Sequence, residues 1–322
     1  MRAIVNTGPN KLELLELPTP VPGPGQVRIH VSACGICATD LEMVAGWERT
    51  PFPSTPGHEW SGVVDAVGEG VDEALIGRKC VAENVLADGL EVGFEHPGGY
   101  GEYLLNEAGN VHVLPDGYPM DVAALIEPLA VSVRAQHRLG HPVDGPALVI
   151  GDGSIGLLTC ALLTRRGIDV TLVGGRPERL DVAAGMGAVQ TINYHELVGE
   201  LAEEIVAAAG GKFPTVIECS GSQNAVEATF GLVEKEGKVL ILGDYAHAHA
   251  NFRWNSMLWQ EITLIGSNAS AGAWDVATNL AVHNDIPLQN LITHRIKAED
   301  FQTGYDAMHN RESKVIKIVM QW

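Results

Sequence analysis

The sequence predicts an α/β protein in which a β-rich amino-terminal region precedes a doubly wound parallel sheet. Short Val- and Ile-rich runs separated by Pro and Gly clusters fill about the first 120 residues. Beyond them, short apolar runs alternate with helical patterns, which is typical of a parallel sheet covered by helices. A Gly-x-Gly-x-x-Gly motif stands between the first such run and its helix, where doubly wound folds bind dinucleotides.

The amino-terminal region shows strand signals and no long helical period. Its candidate strands include Gln26–Val31, Gly62–Val67 and Lys79–Ala82. Pro- and Gly-rich segments such as 18–25 and 97–99 separate these runs, as expected of turns. We therefore expect an all-β barrel or sandwich here.

The pattern changes after Pro119, where residues 121–140 have a helical pattern interrupted by a proline. Six buried-type strands then follow: Ala147–Ile150, Asp169–Val173, Val189–Ile192, Thr215–Cys219, Lys238–Leu242 and Ile262–Ile265. Helical patterns fill most of the gaps: Ile155–Arg166, Glu178–Met186, Glu196–Ala209 and Ser222–Val233. One more helix, Ala273–Asn284, and a strand-rich tail over 313–321 complete the chain.

Composition excludes several classes of function. The 322 residues carry 40 acidic and 21 Lys or Arg side chains, a formal charge of −19, which repels nucleic-acid phosphates. No apolar run approaches the roughly 18 residues that a membrane span needs. Five scattered cysteines do not make a disulfide framework. We expect a soluble, cytoplasmic, two-domain protein that binds neither nucleic acid nor membranes.

The glycine motif predicts a dinucleotide site. Gly151 permits a tight turn, Gly153 lets a pyrophosphate approach the backbone, and Gly156 allows the helix to pack closely on the sheet. The helix N-terminus then offers unpaired N–H groups and a partial positive charge. The predicted cofactor contacts of this turn and of two later strand ends are Gly151, Asp152, Gly153, Ser154, Ile155, Gly156, Cys219, Ser220 and Gly243.

The end of the second strand bears on which cofactor binds. NAD sites usually place a carboxylate there to accept hydrogen bonds from the ribose hydroxyls, but this chain has Gly174. No carboxylate at that position repels a 2′-phosphate, and Arg176 or Arg179 could pair with one. We therefore prefer NADP. The alternative is that both arginines are solvated and NAD binds without that carboxylate.

A candidate metal site lies in the β-rich region. Cys37 and the pair His58–Glu59 supply thiolate, imidazole and carboxylate groups, and Glu127 adds a later carboxylate. Three protein ligands and a water describe a catalytic zinc site. Spacing alone is a modest signal, because a buried cysteine and a hydrogen-bonded histidine are common without a metal.

Taken together, these motifs resemble the zinc-dependent medium-chain dehydrogenase/reductase superfamily, and more narrowly its sorbitol, xylitol and threonine dehydrogenase branch. The resemblance runs from the Cys37 motif to the closing Leu-Ile-Thr-His-Arg segment at 291–295. It implies a GroES-like catalytic β-barrel domain formed by residues 1–122 and 270–322. It also implies a Rossmann dinucleotide-binding domain over residues 123–269.

The resemblance implies one catalytic zinc per subunit. Cys37 resembles the thiolate ligand and His58 the imidazole ligand. Glu59 resembles the adjacent carboxylate, which binds zinc directly or holds the site from behind. Glu127 stands where ordinary alcohol dehydrogenases have cysteine and where the polyol branch has glutamate.

Two further positions depart from or extend the family pattern. Thr39 resembles the residue that takes the substrate proton, but Glu42 stands where many members have a relay histidine. Glu42 or water would then end the relay. Many relatives also carry four cysteines for a structural zinc, whereas no cysteine lies between Cys80 and Tyr103. We therefore expect a shortened lobe at 85–96 and no second zinc.

The implied function is hydride transfer between a secondary alcohol and NAD(P), in either direction, with a polyol, sugar or amino alcohol as substrate. Simple aliphatic alcohols are the alternative substrates. A zinc-free quinone or enoyl reductase and a non-enzymatic protein that retains the fold are the competing functions. Family members are commonly dimers or tetramers that join their sheets edge to edge near the last strand. The resemblance therefore implies that Ile262–Ile265 forms the joining edge here.

Overall fold

The computed structural model describes residues 1–50, 52–140, 143, 145–246, 248–310, 312 and 314–322. The chain divides into two compact units. The first comprises Met1–Ala130 and Trp274–Trp322, and the second comprises Val131–Ala273. These divisions fall inside one helix and just before another, whereas the sequence placed them at 122/123 and 269/270. Among the described residues, no helix is long and apolar enough to cross a membrane.

The strands follow one another along the whole chain. In order they are β1 (Arg2–Gly8), β2 (Lys11–Glu16), β3 (Gln26–Ile36), β4 (Glu59–Val67), β5 (Lys79–Ala82), β6 (Tyr103–Glu107), β7 (Val111–Val113), β8 (Ala147–Ile150), β9 (Val170–Gly174), β10 (Gln190–Asn193), β11 (Phe213–Glu218), β12 (Val233–Ile241), β13 (Thr263–Gly266), β14 (Ile292–Lys297) and β15 (Lys317–Gln321).

The helices fall mainly in the second half of the chain. In order they are α1 (Ala38–Ala45), α2 (Met120–Ala123), α3 (Ile126–Leu139), α4 (Ser154–Arg165), α5 (Pro177–Gly185), α6 (Leu201–Ala209), α7 (Gln223–Leu232), α8 (Trp254–Gln260), α9 (Trp274–Val282) and α10 (Phe301–His309).

The second unit is the predicted doubly wound sheet. Its six strands are all parallel, in the order β10-β9-β8-β11-β12-β13, with helices between successive strands. The order reverses between β8 and β11, which creates the crevice where such folds bind ligands. A buried apolar cluster that includes Leu148, Val216 and Val239 packs around this sheet.

The first unit is built on a largely antiparallel sheet in the order β14-β15-β3-β4-β5-β7, with β6 on β3 and a separate β1–β2 hairpin. Strand β15 from the carboxyl terminus pairs with β3, so both ends of the chain build this unit. Its core includes Ile29, Trp60 and Met320.

Several elements differ from the sequence prediction. The predicted helix over 121–140 is two helices, because the chain breaks after α2 and restarts at α3, which tolerates Pro128 in its first turn. The helix predicted from Glu196 begins only at Leu201, because Gly199 adopts a φ of 143° that a helix cannot contain. Helices α1, α8 and α10 and strand β14 were not predicted; none of them is longer than nine residues.

Candidate metal centre and dinucleotide site

Cys37 lies at the junction between β3 and α1, directly before the first helical residue. Its backbone N–H donates to Asp40 Oδ2 at 2.9 Å, which caps the helix and fixes the turn. The thiol therefore lies at the N-terminus of α1. The local sequence thus presents a half-buried cysteine at a fixed turn between a strand and a helix.

His58 and Glu59 reach Cys37 through the pairing of β3 with β4. Glu59 opens β4 and lies opposite Gly35 in the antiparallel register. A Cβ at Gly35 would come within 2.3 Å of Glu59 Oε2, so only glycine leaves room for this carboxylate. The ligand atoms of Cys37, His58 and Glu59 all lie within 4.8 Å of one another. Among the described residues, no other such group of three occurs.

Asp40 orients the histidine of this group. Its Oδ1 lies 3.4 Å from His58 Nδ1, and its Oδ2 accepts a hydrogen bond from the Tyr100 hydroxyl at 3.2 Å. Burial lowers the pKa of His58, but the carboxylate of Asp40 and the Cys37 sulfur outweigh it and hold the pKa well above its ordinary value. A carboxylate behind a ligating histidine is a common support for a metal site.

Glu59 has a buried cationic partner that the sequence reasoning missed. Lys317 on β15 donates from Nζ to Glu59 Oε1 at 2.6 Å, and both side chains are only 2% exposed. The same Nζ lies 3.4 Å from the Ile36 carbonyl. One signal was available: Lys317 is the single charge in the apolar run from Val315 to Met320.

The donor set fits a zinc ion. Sulfur, imidazole nitrogen and carboxylate oxygen are the atoms that zinc prefers, and they converge here. One of these donor atoms, Glu59 Oε2, is also buried without a hydrogen-bond partner. An orphaned carboxylate oxygen in the interior is costly unless a cation meets it.

Glu127 lies near this group but is not one of its three members. It opens α3 and is 9% exposed. Burial raises its pKa to about 7; His58 and Lys317 oppose the rise, and the carboxylates of Glu59 and Glu91 add to it. Its role as a ligand or as a partner of bound water stays a prediction.

The two relay candidates lie on α1. The Thr39 hydroxyl oxygen is 3.7 Å from Cys37 Sγ, so this side chain borders the centre. Glu42 is half-buried on the same helix, and its place in a relay stays a prediction.

The predicted short lobe at 85–96 packs against the centre through aromatic side chains. Phe94 stacks on His58 with ring centroids 4.7 Å apart. The guanidinium of Arg49 lies 4.5 Å from the Phe94 centroid and pairs with Glu91 and Glu95. These contacts tie the lobe to the segment after α1. Phe94 was not singled out from the sequence, because one aromatic residue in a loop carries no signal.

In the second unit the three motif glycines occupy the predicted positions. Gly151 follows β8 with a φ of 122°, and a Cβ there would lie 2.9 Å from the Ser220 nitrogen. A Cβ at Gly156 would come within 2.0 Å of the Gly151 carbonyl oxygen, so the helix packs tightly on the turn. No atom lies within 4 Å of a Cβ at Gly153, the N-cap of α4, which leaves the space a phosphate would need.

At the end of β9, the Asp152 carboxylate contacts both backbone and side-chain donors. Its Oδ2 accepts hydrogen bonds from the backbone N–H groups of Gly175 and Arg176, both at 2.9 Å. Its Oδ1 lies 3.4 Å from Arg176 and 3.5 Å from Arg179. A Cβ at Gly174 would collide with Asp152, at 2.6 Å from its Cβ. Both predicted arginines therefore gather around one carboxylate at this strand end.

The remaining predicted contacts lie on the other side of the switch point. Cys219 and Ser220 follow β11, and Gly243 follows β12. A Cβ at Gly243 would lie 2.4 Å from the Gly221 nitrogen, so these two loops meet backbone to backbone. All five cysteines have free thiols.

A glycine turn in a doubly wound sheet and a sulfur–nitrogen–oxygen group in a β-rich unit are together typical of zinc-type dinucleotide oxidoreductases. The chain matches the family "Alcohol dehydrogenase GroES-like domain" over residues 23–116 and the family "Zinc-binding dehydrogenase" over residues 154–283. It is 32% identical to an (R,R)-butanediol dehydrogenase of Neisseria gonorrhoeae, over 98% of this chain and 97% of that one. The chain therefore belongs to the zinc-type medium-chain dehydrogenase family, and it is an oxidoreductase with a nicotinamide cofactor.

Two further similarities agree with this. A sorbitol dehydrogenase of Halalkalibacterium halodurans is 27% identical, with 99% of both chains covered. A crystal structure described as a short chain alcohol dehydrogenase of Escherichia coli CFT073 with NADH has a TM-score of 0.92 at 24% identity, covering 100% of this chain and 99% of that one. The predicted family and its two-part fold are thus confirmed.

Proposed function

We propose that this protein oxidises a secondary alcohol to a ketone, or catalyses the reverse, with zinc held by Cys37 and His58. The observation that carries the proposal is the buried group of thiol, imidazole and carboxylate whose ligand atoms lie within 4.8 Å. Glu59 and Glu127 are the two candidates for further ligation. When bound, zinc supplies a Lewis acid that lowers the pKa of an alcohol and polarises a ketone.

The chain's own residues supply a group that accepts the substrate proton and an apolar surface that excludes water. The Thr39 hydroxyl borders the sulfur of Cys37, so it takes the substrate proton and passes it on. The Phe94 ring covers one side of His58, which limits water at the centre. The cofactor carries the hydride, and the protein positions the reacting groups.

The charges around the centre favour a neutral or cationic hydroxyl-bearing substrate such as a polyol, sugar or amino alcohol. Lys317 is buried against Glu59, and Arg49 pairs with two carboxylates of the lobe. These cations are already neutralised, while Glu127 adds further acidity. A phosphorylated or carboxylated substrate would therefore have to compete with these carboxylates for Lys317 and Arg49.

The test is a spectrophotometric panel of polyols, sugars, amino alcohols and short aliphatic alcohols with NADP and with NAD, with bound zinc measured on the same sample. We expect one zinc per chain and the highest kcat/KM among substrates with neighbouring hydroxyl or amino groups. Full activity in protein that is free of zinc would overturn the proposal and favour a quinone or enoyl reductase instead.

We infer that NADP is the preferred cofactor. Support comes from the end of β9, where Gly174 provides no carboxylate and Asp152 gathers Arg176 and Arg179. Asp152 Oδ2 accepts from two backbone N–H groups, and Oδ1 faces both arginines, so two guanidinium groups share one carboxylate and keep a net positive charge that favours a 2′-phosphate. The competing arrangement is NAD binding with Asp152 as the ribose acceptor.

The variant Arg176→Gln tests whether the protein prefers NADP to NAD. We expect kcat/KM for NADP to fall about tenfold or more, the value of a charged hydrogen bond, and kcat/KM for NAD to change less than about twofold. Steady-state kinetics with both cofactors measure this. Arg78→Gln, an exposed arginine of the first unit, is the matched control. Equal losses with both cofactors would contradict NADP preference.

We further propose that two or four copies associate through β13. This strand is paired only with β12 among the described residues, so its outer edge is open. The preceding helix α8 exposes Trp254, Leu258 and Trp259 at 62%, 71% and 71%. Open edges and large exposed apolar patches mark interfaces.

Light scattering tests this association. We expect a mass two or four times the 34.3 kDa of one chain, and a shift to smaller species in Trp259→Glu. A single-chain mass at all concentrations of the unaltered protein would refute it.

A further inference from the structure

Glu218 is a fully buried carboxylate at the carboxyl end of β11, beside the switch point. Its four hydrogen-bond donors carry no charge. Oε1 accepts from the Ser220 N–H at 2.8 Å and from the Ser220 hydroxyl. Oε2 accepts from the Gly221 N–H at 3.3 Å and from the Tyr245 hydroxyl. A buried carboxylate satisfied only by neutral donors is costly to leave incomplete.

All four donors come from two loops, and none comes from the apolar core. The first loop, 219–221, follows β11, and the second, 242–246, follows β12. The Glu218 carbonyl also accepts from the N–H groups of Leu242 and Gly243, at 2.9 and 3.0 Å. One residue therefore holds both loops together through its backbone and its side chain.

The loop 219–221 borders the dinucleotide turn, because Gly151 approaches the Ser220 nitrogen without room for a Cβ. In doubly wound folds the dinucleotide crosses the switch point with its phosphates on the glycine turn. Since Gly174 and Arg176 place the adenosine ribose on the β9 side, the nicotinamide half belongs on the β11–β12 side.

We propose that Glu218 and Tyr245 are positioning residues for the nicotinamide half of the cofactor. The carboxylate and the phenol, which we call the Glu218–Tyr245 clasp, fix loops 219–221 and 242–246 as one wall. The inference rests on the proposed cofactor binding. Tyr245 follows β12, whereas the proposed adenosine site lies at the end of β9. Loss of the clasp should therefore weaken binding of the nicotinamide half more than binding of the adenosine half.

The experiment compares binding of whole and truncated cofactors by titration calorimetry to the zinc-loaded full chain. Tyr245→Phe removes one hydroxyl and keeps the ring, so it preserves packing. We expect the Kd for NADPH, or NADH if that binds more tightly, to rise about tenfold. The Kd for 2′-phospho-ADP-ribose, or ADP-ribose in the NADH case, should change less than about twofold. Tyr305→Phe on α10 of the first unit is the matched control and should change neither.

Two outcomes would contradict the proposed role of the Glu218–Tyr245 clasp. Unchanged Kd values for both ligands would show that Tyr245 positions nothing. Parallel losses for both ligands would show a general structural role. Glu218→Gln is the second variant: it replaces one accepting oxygen with an amide NH2 donor that faces N–H and O–H donors, and it should raise the Kd for NADPH alone by more than Tyr245→Phe does. Failure of the unaltered protein to bind either dinucleotide would instead refute the proposed function.

Discussion

Cys37→Ser is expected to lose its zinc and at least about a thousandfold of kcat/KM. A serine oxygen replaces the sulfur, so the ligand group loses its softest donor, which zinc prefers to a hydroxyl. Lewis-acid stabilisation is worth several kcal/mol, and each 1.36 kcal/mol is a factor of ten in rate. Bound zinc, measured by mass spectrometry, should fall with activity.

Removal of the metal tests independently whether activity depends on zinc. Dialysis of the unaltered protein against a chelator should abolish activity, and added zinc should restore it, whereas zinc should not restore Cys37→Ser. Cys80→Ala is the matched control, because Cys80 is a buried thiol of the same unit outside the ligand group. A Cys37→Ser protein with full zinc content and full activity would remove Cys37 from the centre.

The doubly wound sheet was predictable because its signals are local. Strand β8 has the predicted bounds, and β9, β10, β11 and β13 lie within two residues of theirs, since short apolar runs flanked by glycine are distinctive. Strand β12 begins five residues before its predicted start. Gly151 and Gly156 were predictable for the same reason: the turn dictates the residue. Boundaries such as the start of α6 were missed because a single backbone conformation at Gly199 overrides a helical pattern.

The metal centre was predictable only in part. Cys37, His58 and Glu59 stand out as residue types, but the register of β3 against β4 brings them together, and no local pattern encodes that register. Asp152 was placed in the turn from sequence, yet its contacts with Arg176 and Arg179 depend on the packing of β9 against β8. Tyr245 and Phe94 lie in loops, where position depends on distant partners.

The contact between Lys317 and Glu59 is the hardest part of the centre to predict from sequence, because 258 positions separate the two residues along the chain. Only the pairing of β15 with β3 brings the carboxyl-terminal strand to the centre. Burial by itself lowers the pKa of Lys317, but Glu59 and Cys37 outweigh it and raise the pKa above its usual value, so the ammonium stays charged. The buried pair thus places a permanent positive charge behind the carboxylate.

Lys317→Met is therefore expected to lower the free energy of unfolding by about 3–5 kcal/mol, because it leaves Glu59 as a buried charge without its partner. Methionine keeps most of the length of the lysine side chain, so lost packing contributes little. Denaturant unfolding measures the change, with and without a chelator. The loss should be larger without zinc, since Glu59 Oε2 already lacks a hydrogen-bond partner and a metal ion offsets part of its charge.

The double variant Lys317→Met with Glu59→Gln distinguishes the charge effect from a defect in packing. Removing both charges should restore most of the lost stability, because a neutral amide needs no buried cation. It should not restore zinc affinity if the Glu59 carboxylate takes part in binding. Lys314→Met, at an exposed position three residues earlier, is the matched control and should be close to neutral. An unchanged unfolding free energy for Lys317→Met, or no recovery in the double variant, would show that the pair does not stabilise the centre.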